Sequence, residues 1–90
     1  RIVNELLELI AKRSDLVVYG MKDVTFASKQ GAIDMLVLTD QRMDSENIGE
    51  LLDSVESGGG SITIINSDSS AGKKLNGLKG IISKLRFKTK

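Results

Sequence analysis

The sequence predicts an α/β domain, a three-layer α/β/α sandwich around a four-stranded mixed sheet. Apolar residues recur at helical spacing in separate stretches, notably 2–13 and 48–55. Short β-branched or aliphatic runs alternate with those stretches. The connections between them are brief, and no internal repeat or low-complexity linker interrupts the alternation.

Taken in order, Ile2, Val3, Leu6, Leu7 and Ile10 place one apolar stripe on a helix over residues 2–13. Leu16-Val17-Val18-Tyr19 reads as a strand ended by Gly20. Residues 21–30 form a second helix with Val24 and Ala27 inward, closed by Gly31 in the left-handed conformation. A β-branched residue at a left-handed Gly31 would cost roughly 1–2 kcal/mol. Ile33 to Leu38 is a strand rich enough in large aliphatics to be buried on both faces. Asp44 or Ser45 is expected to cap the next helix, with Glu46 in its first turn near the positive helix end. Ile48, Leu51, Leu52 and Val55 give that helix the clearest period in the chain. Gly58-Gly59-Gly60 ends it, and Ser61 to Ile65 alternates as a third strand with Ile62 and Ile64 on one face. After a polar turn over Asn66–Ser70, a short helix with Ala71, Leu75 and Leu78 runs to about Gly80, and Ile81 to Phe87 closes as a fourth strand.

Ninety residues suffice for one core. A hydrophobic content of 40% with 28% charged residues argues against disorder. The chain has no Cys and no His, so neither a disulfide scaffold, nor a Cys/His zinc site, nor a Cys- or His-based nucleophile or base is available within it. The longest apolar runs, such as Met35-Leu36-Val37-Leu38, fall far short of a bilayer span, and Asn4, Glu5 and Glu8 interrupt any signal-peptide pattern. A cytoplasmic location is expected. Because Arg1 already lies inside a helical pattern, residues 1–90 are expected to be one domain, the C-terminal one, of a longer multidomain chain.

Net charge is only +1, but its distribution is uneven. From Asp34 to Asp68 the acids Asp34, Asp40, Asp44, Glu46, Glu50, Asp53, Glu56 and Asp68 face a single base, Arg42. From Lys73 onward there are only bases: Lys73, Lys74, Lys79, Lys84, Arg86, Lys88 and Lys90. That partition suggests two surfaces for different neighbours.

Candidate chemistry is thin. Ala71-Gly72-Lys73-Lys74 lies between a strand and a helix, as a phosphate loop does, but Ser67 stands where the leading Gly belongs and Lys74 where a metal-binding hydroxyl belongs. It reads as a capped helix start with solvated lysines. The triple glycine has no Gln after it, unlike the Gly-Gly-Gln of release factors, and reads as a helix-to-strand turn. Asp34, Asp40 and Asp44 could be offered to magnesium, yet their spacing reads more simply as exposed residues around a strand end and a helix cap. Lys84, Arg86 and Lys88 alternate along the last strand, giving it one cationic face with Leu85 and Phe87 inward, able to meet rRNA phosphates or an acidic protein. With only Tyr19, Phe26 and Phe87 to stack, base readout on single strands is not expected.

An ordered set of offsets resembles the Pelota C-terminal domain. It comprises Tyr19-Gly20, Val24, Ala27, Gly31-Ala32-Ile33, Leu36 and Asp40, followed by Gly59-Gly60, Ser67, Gly72, Leu75, Leu78, Gly80-Ile81 and Leu85-Arg86-Phe87. The match runs from about residue 17 to residue 87. The third domain of class-one release factors is similar, but it usually carries an inserted subdomain for which residues 40–50 leave no room. This chain departs from the family at Ser69, where His is common, at Ala71, where Ser is common, around Arg42-Met43, and at Lys88, where Pro is usual.

The resemblance implies a fold like that of kink-turn-binding ribosomal proteins. It also implies the protein-docking domain of a stalled-ribosome rescue and mRNA surveillance factor acting in no-go decay. Its partners would be a translational GTPase related to elongation factor one-alpha, an iron–sulfur ABC-type recycling ATPase, and the ribosome with or without rRNA contact. No enzyme activity, cofactor, metal or membrane partner is expected. Asp44, Glu46, Glu50 and Asp53 on one side and Lys84, Arg86 and Lys88 on the other are the expected partner-binding residues. The third domain of a release factor and a kink-turn-type RNA-binding module stay open as alternatives.

Overall fold

The computed structural model describes residues 2–12 and 15–88. Arg13 at the end of the expected first helix, Lys90 of the basic run and the side chain of Ile2 lie outside them. The elements are α1 (Ile2–Ala11), β1 (Val17–Tyr19), α2 (Met21–Lys29), β2 (Ile33–Thr39), a 3₁₀ helix (Asp40–Asp44), α3 (Ile48–Ser57), β3 (Ser61–Ile65), α4 (Ser70–Asn76) and β4 (Ile81–Leu85).

The four strands form one mixed sheet in the order β1-β4-β2-β3. β4 runs antiparallel to both β1 and β2, while β2 and β3 are parallel. α2 and α3 cover one face with Val24, Ala27, Leu51 and Val55 against Leu36, Leu38, Ile81 and Leu85. α1 and α4 cover the other with Val3, Leu6 and Leu75 against Val17, Val37 and Ile82. The expected three-layer sandwich is the observed one.

β2 holds the two layers together. Leu36, Val37 and Leu38 are each 0% exposed, so successive side chains enter opposite cores. Strict alternation would put Ile33 on the α1/α4 face with Met35 and Val37. The β2–β4 register instead slips between Ile33 and Met35, pairing them with the adjacent residues Leu85 and Lys84. Asp34, exposed, is the extra residue of this bulge. Ile33 is thereby turned into the α2/α3 core beside Leu36 and Leu38.

Gly31 has a φ of 66°, the left-handed position expected after α2. Gly72 answers a different need. A Cβ there would overlap the carbonyl oxygen of Asn66 and the Cα of Ser67, so only glycine lets α4 lie against the turn that precedes it.

Three local expectations are corrected. α3 starts at Ile48 rather than behind Asp44 or Ser45, and Asn47, with a φ of 65°, is its N-cap residue. Residues 40–44 wind into the 3₁₀ helix instead, closed by the Ser45 amide donating to the Arg42 carbonyl at 3.0 Å. Glu46 therefore lies ahead of the helix, and Glu50 is the acid of the first turn. β4 stops at Leu85, and Phe87 is 46% exposed rather than inward. The reason is the partner strand: β2 begins at Ile33, opposite Leu85, and leaves nothing for Phe87 to pair with. α4 ends at Asn76, and the chain turns through left-handed Lys79 and Gly80 (φ 67° and 78°) into β4.

The hydroxyls of Thr39 and Ser83 are buried without a hydrogen-bond partner among the described residues. Leu36→Ala should lower stability by about 2–5 kcal/mol, because both transfer energy and packing are lost at a filled site. Ser83→Ala should stay within about 1 kcal/mol of the parent or stabilise it, since it removes a desolvated group that bonds to nothing. Urea unfolding of the two variants checks the contrast.

Candidate functional site

The carboxyl ends of parallel strands are where open α/β sheets usually bind ligands. Here that end is occupied by the chain itself. Asp40, just after β2, accepts a hydrogen bond through Oδ1 from the Ser67 amide at 3.0 Å, joining the end of β2 to the turn after β3. Within that turn the Asp68 amide donates to Asn66 Oδ1 at 2.8 Å, and Ser69 Oγ donates to the Asn66 carbonyl at 2.6 Å. The amide and then the hydroxyl of Ser67 hold the Asp40 carboxyl below the ordinary Asp range. Asp34 lies at the other end of the seven-residue β2, so the three aspartates weighed for magnesium do not converge.

The Gly72-Lys73-Lys74 stretch is engaged internally. The Gly72 amide donates to Ser69 Oγ at 3.0 Å as the helix cap, and Lys74 Nζ donates to Asn4 Oδ1 on α1 at 3.1 Å. The amide that a phosphate loop would present is already bonded.

The acidic residues divide around α3. Glu46 and Glu50 line a groove of about 220 Å³ between α2 and α3, with Met21, Thr25, Ser28 and Lys29 on its α2 side and Leu51 and Ser54 beside Glu50. That volume is below the ~300–1,000 Å³ of typical small-molecule sites and suits a few side chains of a partner. At 3.6 residues per turn, Asp53 falls on the opposite flank of α3 together with Gly49, Leu52 and Glu56. Asp44 ends the 3₁₀ helix and is exposed.

The basic residues are not one strand face. Lys84 lies in β4, half-buried, paired with Val17 and Met35. Arg86 is past the strand, and its Nη2 donates to the Ile33 carbonyl at 2.6 Å, fastening the end of β4 to the start of β2. Lys88 pairs with Asp15 at 3.3 Å, both largely exposed, a contact worth only ~0–1 kcal/mol. The predicted alternation of Lys84, Arg86 and Lys88 fails because the ladder ends at Leu85. Sequence reasoning also missed the tie from Asp40, whose partner is 27 positions away and leaves no local signal.

An α/β/α scaffold with its polar turns stitched shut and its charges turned outward matches a known class. The family model for eRF1 domain 3 covers residues 1–89, and the chain belongs to that family. Within it the similarity is to Pelota proteins, bearing out the resemblance read from the ordered offsets. The chain is 44% identical over 88 residues to the protein pelota homolog of Methanothermobacter thermautotrophicus, covering 98% of this chain and 25% of that protein. It superposes on archaeal Pelota, solved bound to the ribosome with ABCE1, with a TM-score of 0.87 and 35% identity over 99% of this chain and 26% of the other. Against Saccharomyces cerevisiae Dom34, a translation termination-like factor of RNA quality control that interacts with Hbs1, the TM-score is 0.86 with 36% identity, covering 97% and 26%. The chain thus spans about a quarter of the length of the relatives it matches. Among the described residues no helix is long and apolar enough to cross a membrane.

The Asp40 tie has a pH signature. A carboxyl whose folded pKa is depressed stabilises the fold above its unfolded pKa, and that contribution is lost as pH falls through the folded value. Asp40→Asn should be less stable than the parent near neutrality, and the two should converge in acid. Urea midpoints taken from about pH 7 down to about pH 2 read this directly.

Proposed function

We propose that the chain is a protein-docking domain, one module of a longer cytoplasmic rescue and mRNA surveillance factor for stalled ribosomes. It binds a translational GTPase related to elongation factor one-alpha and an iron–sulfur ABC-type recycling ATPase, and performs no chemistry of its own. The observation that carries this reading is the fixed separation of charge. Glu46, Glu50, Asp53 and Glu56 stand on and around α3, while Lys73 and Lys74 stand on α4 across the sheet. An acidic α3 and a basic α4, held apart on one rigid scaffold, can serve two partners in turn, setting encounter rate and orientation. The family assignment supports it, as do the Hbs1 interaction of Dom34 and the appearance of archaeal Pelota with ABCE1 on the ribosome.

The kink-turn RNA reading, suggested by fold kinship and by the basic end, keeps the kinship but not a continuous cationic strand face. Glu46→Lys with Glu50→Lys, at exposed positions, should leave the fold intact and weaken capture of at least one of the two partners by about tenfold or more in a pull-down titration. Retention of both partners after charge reversal on α3 and on α4 in turn rejects the docking role. Tight binding of a kink-turn RNA with a steep salt dependence would assign the domain to RNA instead.

A further inference from the structure

Sheets protect their edges with shortness, charge, proline or bulges, because an unpaired row of backbone groups invites another strand. β1 at one edge is only three residues long. β3 at the other has five, Ser61-Ile62-Thr63-Ile64-Ile65, with no charge, no proline and an unbroken register to β2. None of its residues is buried. Ile62 packs against the α2/α3 core, but Ile64, two residues on and on the same face, is 52% exposed.

Ile64 is uncovered for a reason visible in α3. The helix crosses between parallel β2 and β3, so its first turn lies over the carboxyl end of β3. On the flank above β3 that first turn carries Gly49, followed by Leu52, Asp53 and Glu56. A Cβ on Gly49 would meet nothing within 4 Å, so no close approach inside the chain calls for glycine there. Glycine in a helix costs about 0.5–1 kcal/mol relative to alanine. By the helical period that open position is on the flank of α3 facing away from α2, the flank on the side of the unprotected edge.

We propose that β3 takes up an extended segment of a protein partner as a fifth strand, and that this segment carries Lys or Arg at alternate positions. Main-chain bonds to the β3 edge would supply affinity, as in other strand-addition sites. The alternate long side chains would lay their stems over Ile64 in the notch at Gly49 and extend their charges to Asp53 and Glu56. α3 bears Glu50, Asp53 and Glu56 and no base, so the charge of the occupant follows from the surface it must cross. This rests on the docking reading above and gives it an address.

The test titrates the chain with a short synthetic peptide of alternating lysine and valine and, in parallel, with its glutamate–valine counterpart, following backbone amides by NMR. Shifts centred on residues 61–65 with the lysine peptide and absent with the glutamate peptide are expected. Ile64→Lys should weaken that binding by about tenfold or more. Gly49→Ala should melt no lower than the parent and still bind more weakly, a pairing that simple misfolding cannot produce. Equal binding of both peptides, shifts confined to Thr25 and Ser54 in the α2/α3 groove, or self-association of the chain through β3 in sedimentation would each overturn the proposal. A parallel pull-down separates the two readings. Partners retained by Ile64→Lys leave the docking role standing and remove this edge from it, whereas an unaltered chain that captures neither partner removes both.

Discussion

The burial of β2 on both faces is the constraint on which the domain depends. Leu36 and Leu38 enter one core and Val37 the other, so β2, with its neighbour β4, which sends Ile81 and Leu85 one way and Ile82 the other, joins two layers that touch each other through the sheet. Its pairing with β4 also fixes where the neighbouring elements end. Ile33 opposite Leu85 sets the last rung of β4, and the bulge at Asp34 sends Ile33 into the core that its position in the alternation would deny it. Small domains have little stability to spare, and two half-size cores that meet across the central strands β2 and β4 make those strands the least replaceable part.

What was legible in the sequence was whatever depends on near neighbours. The stripe Ile48-Leu51-Leu52-Val55 gave α3 its inward face, Ser61–Ile65 was bounded on both sides by turn residues, and Gly31 sat where a helix must be closed by a left-handed residue. What depends on distant partners was not legible. The end of β4 follows from where β2 begins, and the strand order β1-β4-β2-β3 leaves no local trace. The start of α3 failed for a different reason: the 3₁₀ helix over 40–44 took in Asp44 and was closed by Ser45, so the N-cap passed to Asn47, which is left-handed and makes no side-chain cap bond.

The candidate surfaces show the same division. That Glu50 looks toward α2 while Asp53 looks away follows from the helical period once the helix is correctly begun, whereas Glu46, ahead of the helix, has no such period to place it. That Arg86 is a fastening to Ile33 rather than a free cation could not be read from alternation, because the strand carrying it had already ended. Recognition of the family by ordered offsets succeeded largely through scaffold positions. Gly31, Leu36, Gly72, Leu75 and Ile81 are fixed by turns, close approach and core volume, so they report the fold more strongly than any contact with a partner.

The dependence on β2 can be measured by native-state amide hydrogen exchange across a urea series. The amides of Leu36, Val37 and Leu38 should exchange only through global unfolding, with the same urea sensitivity as the whole domain. Exchange of those amides through a small, urea-insensitive opening, while α1 and α3 stay protected, would show that the two layers do not rely on the strand between them.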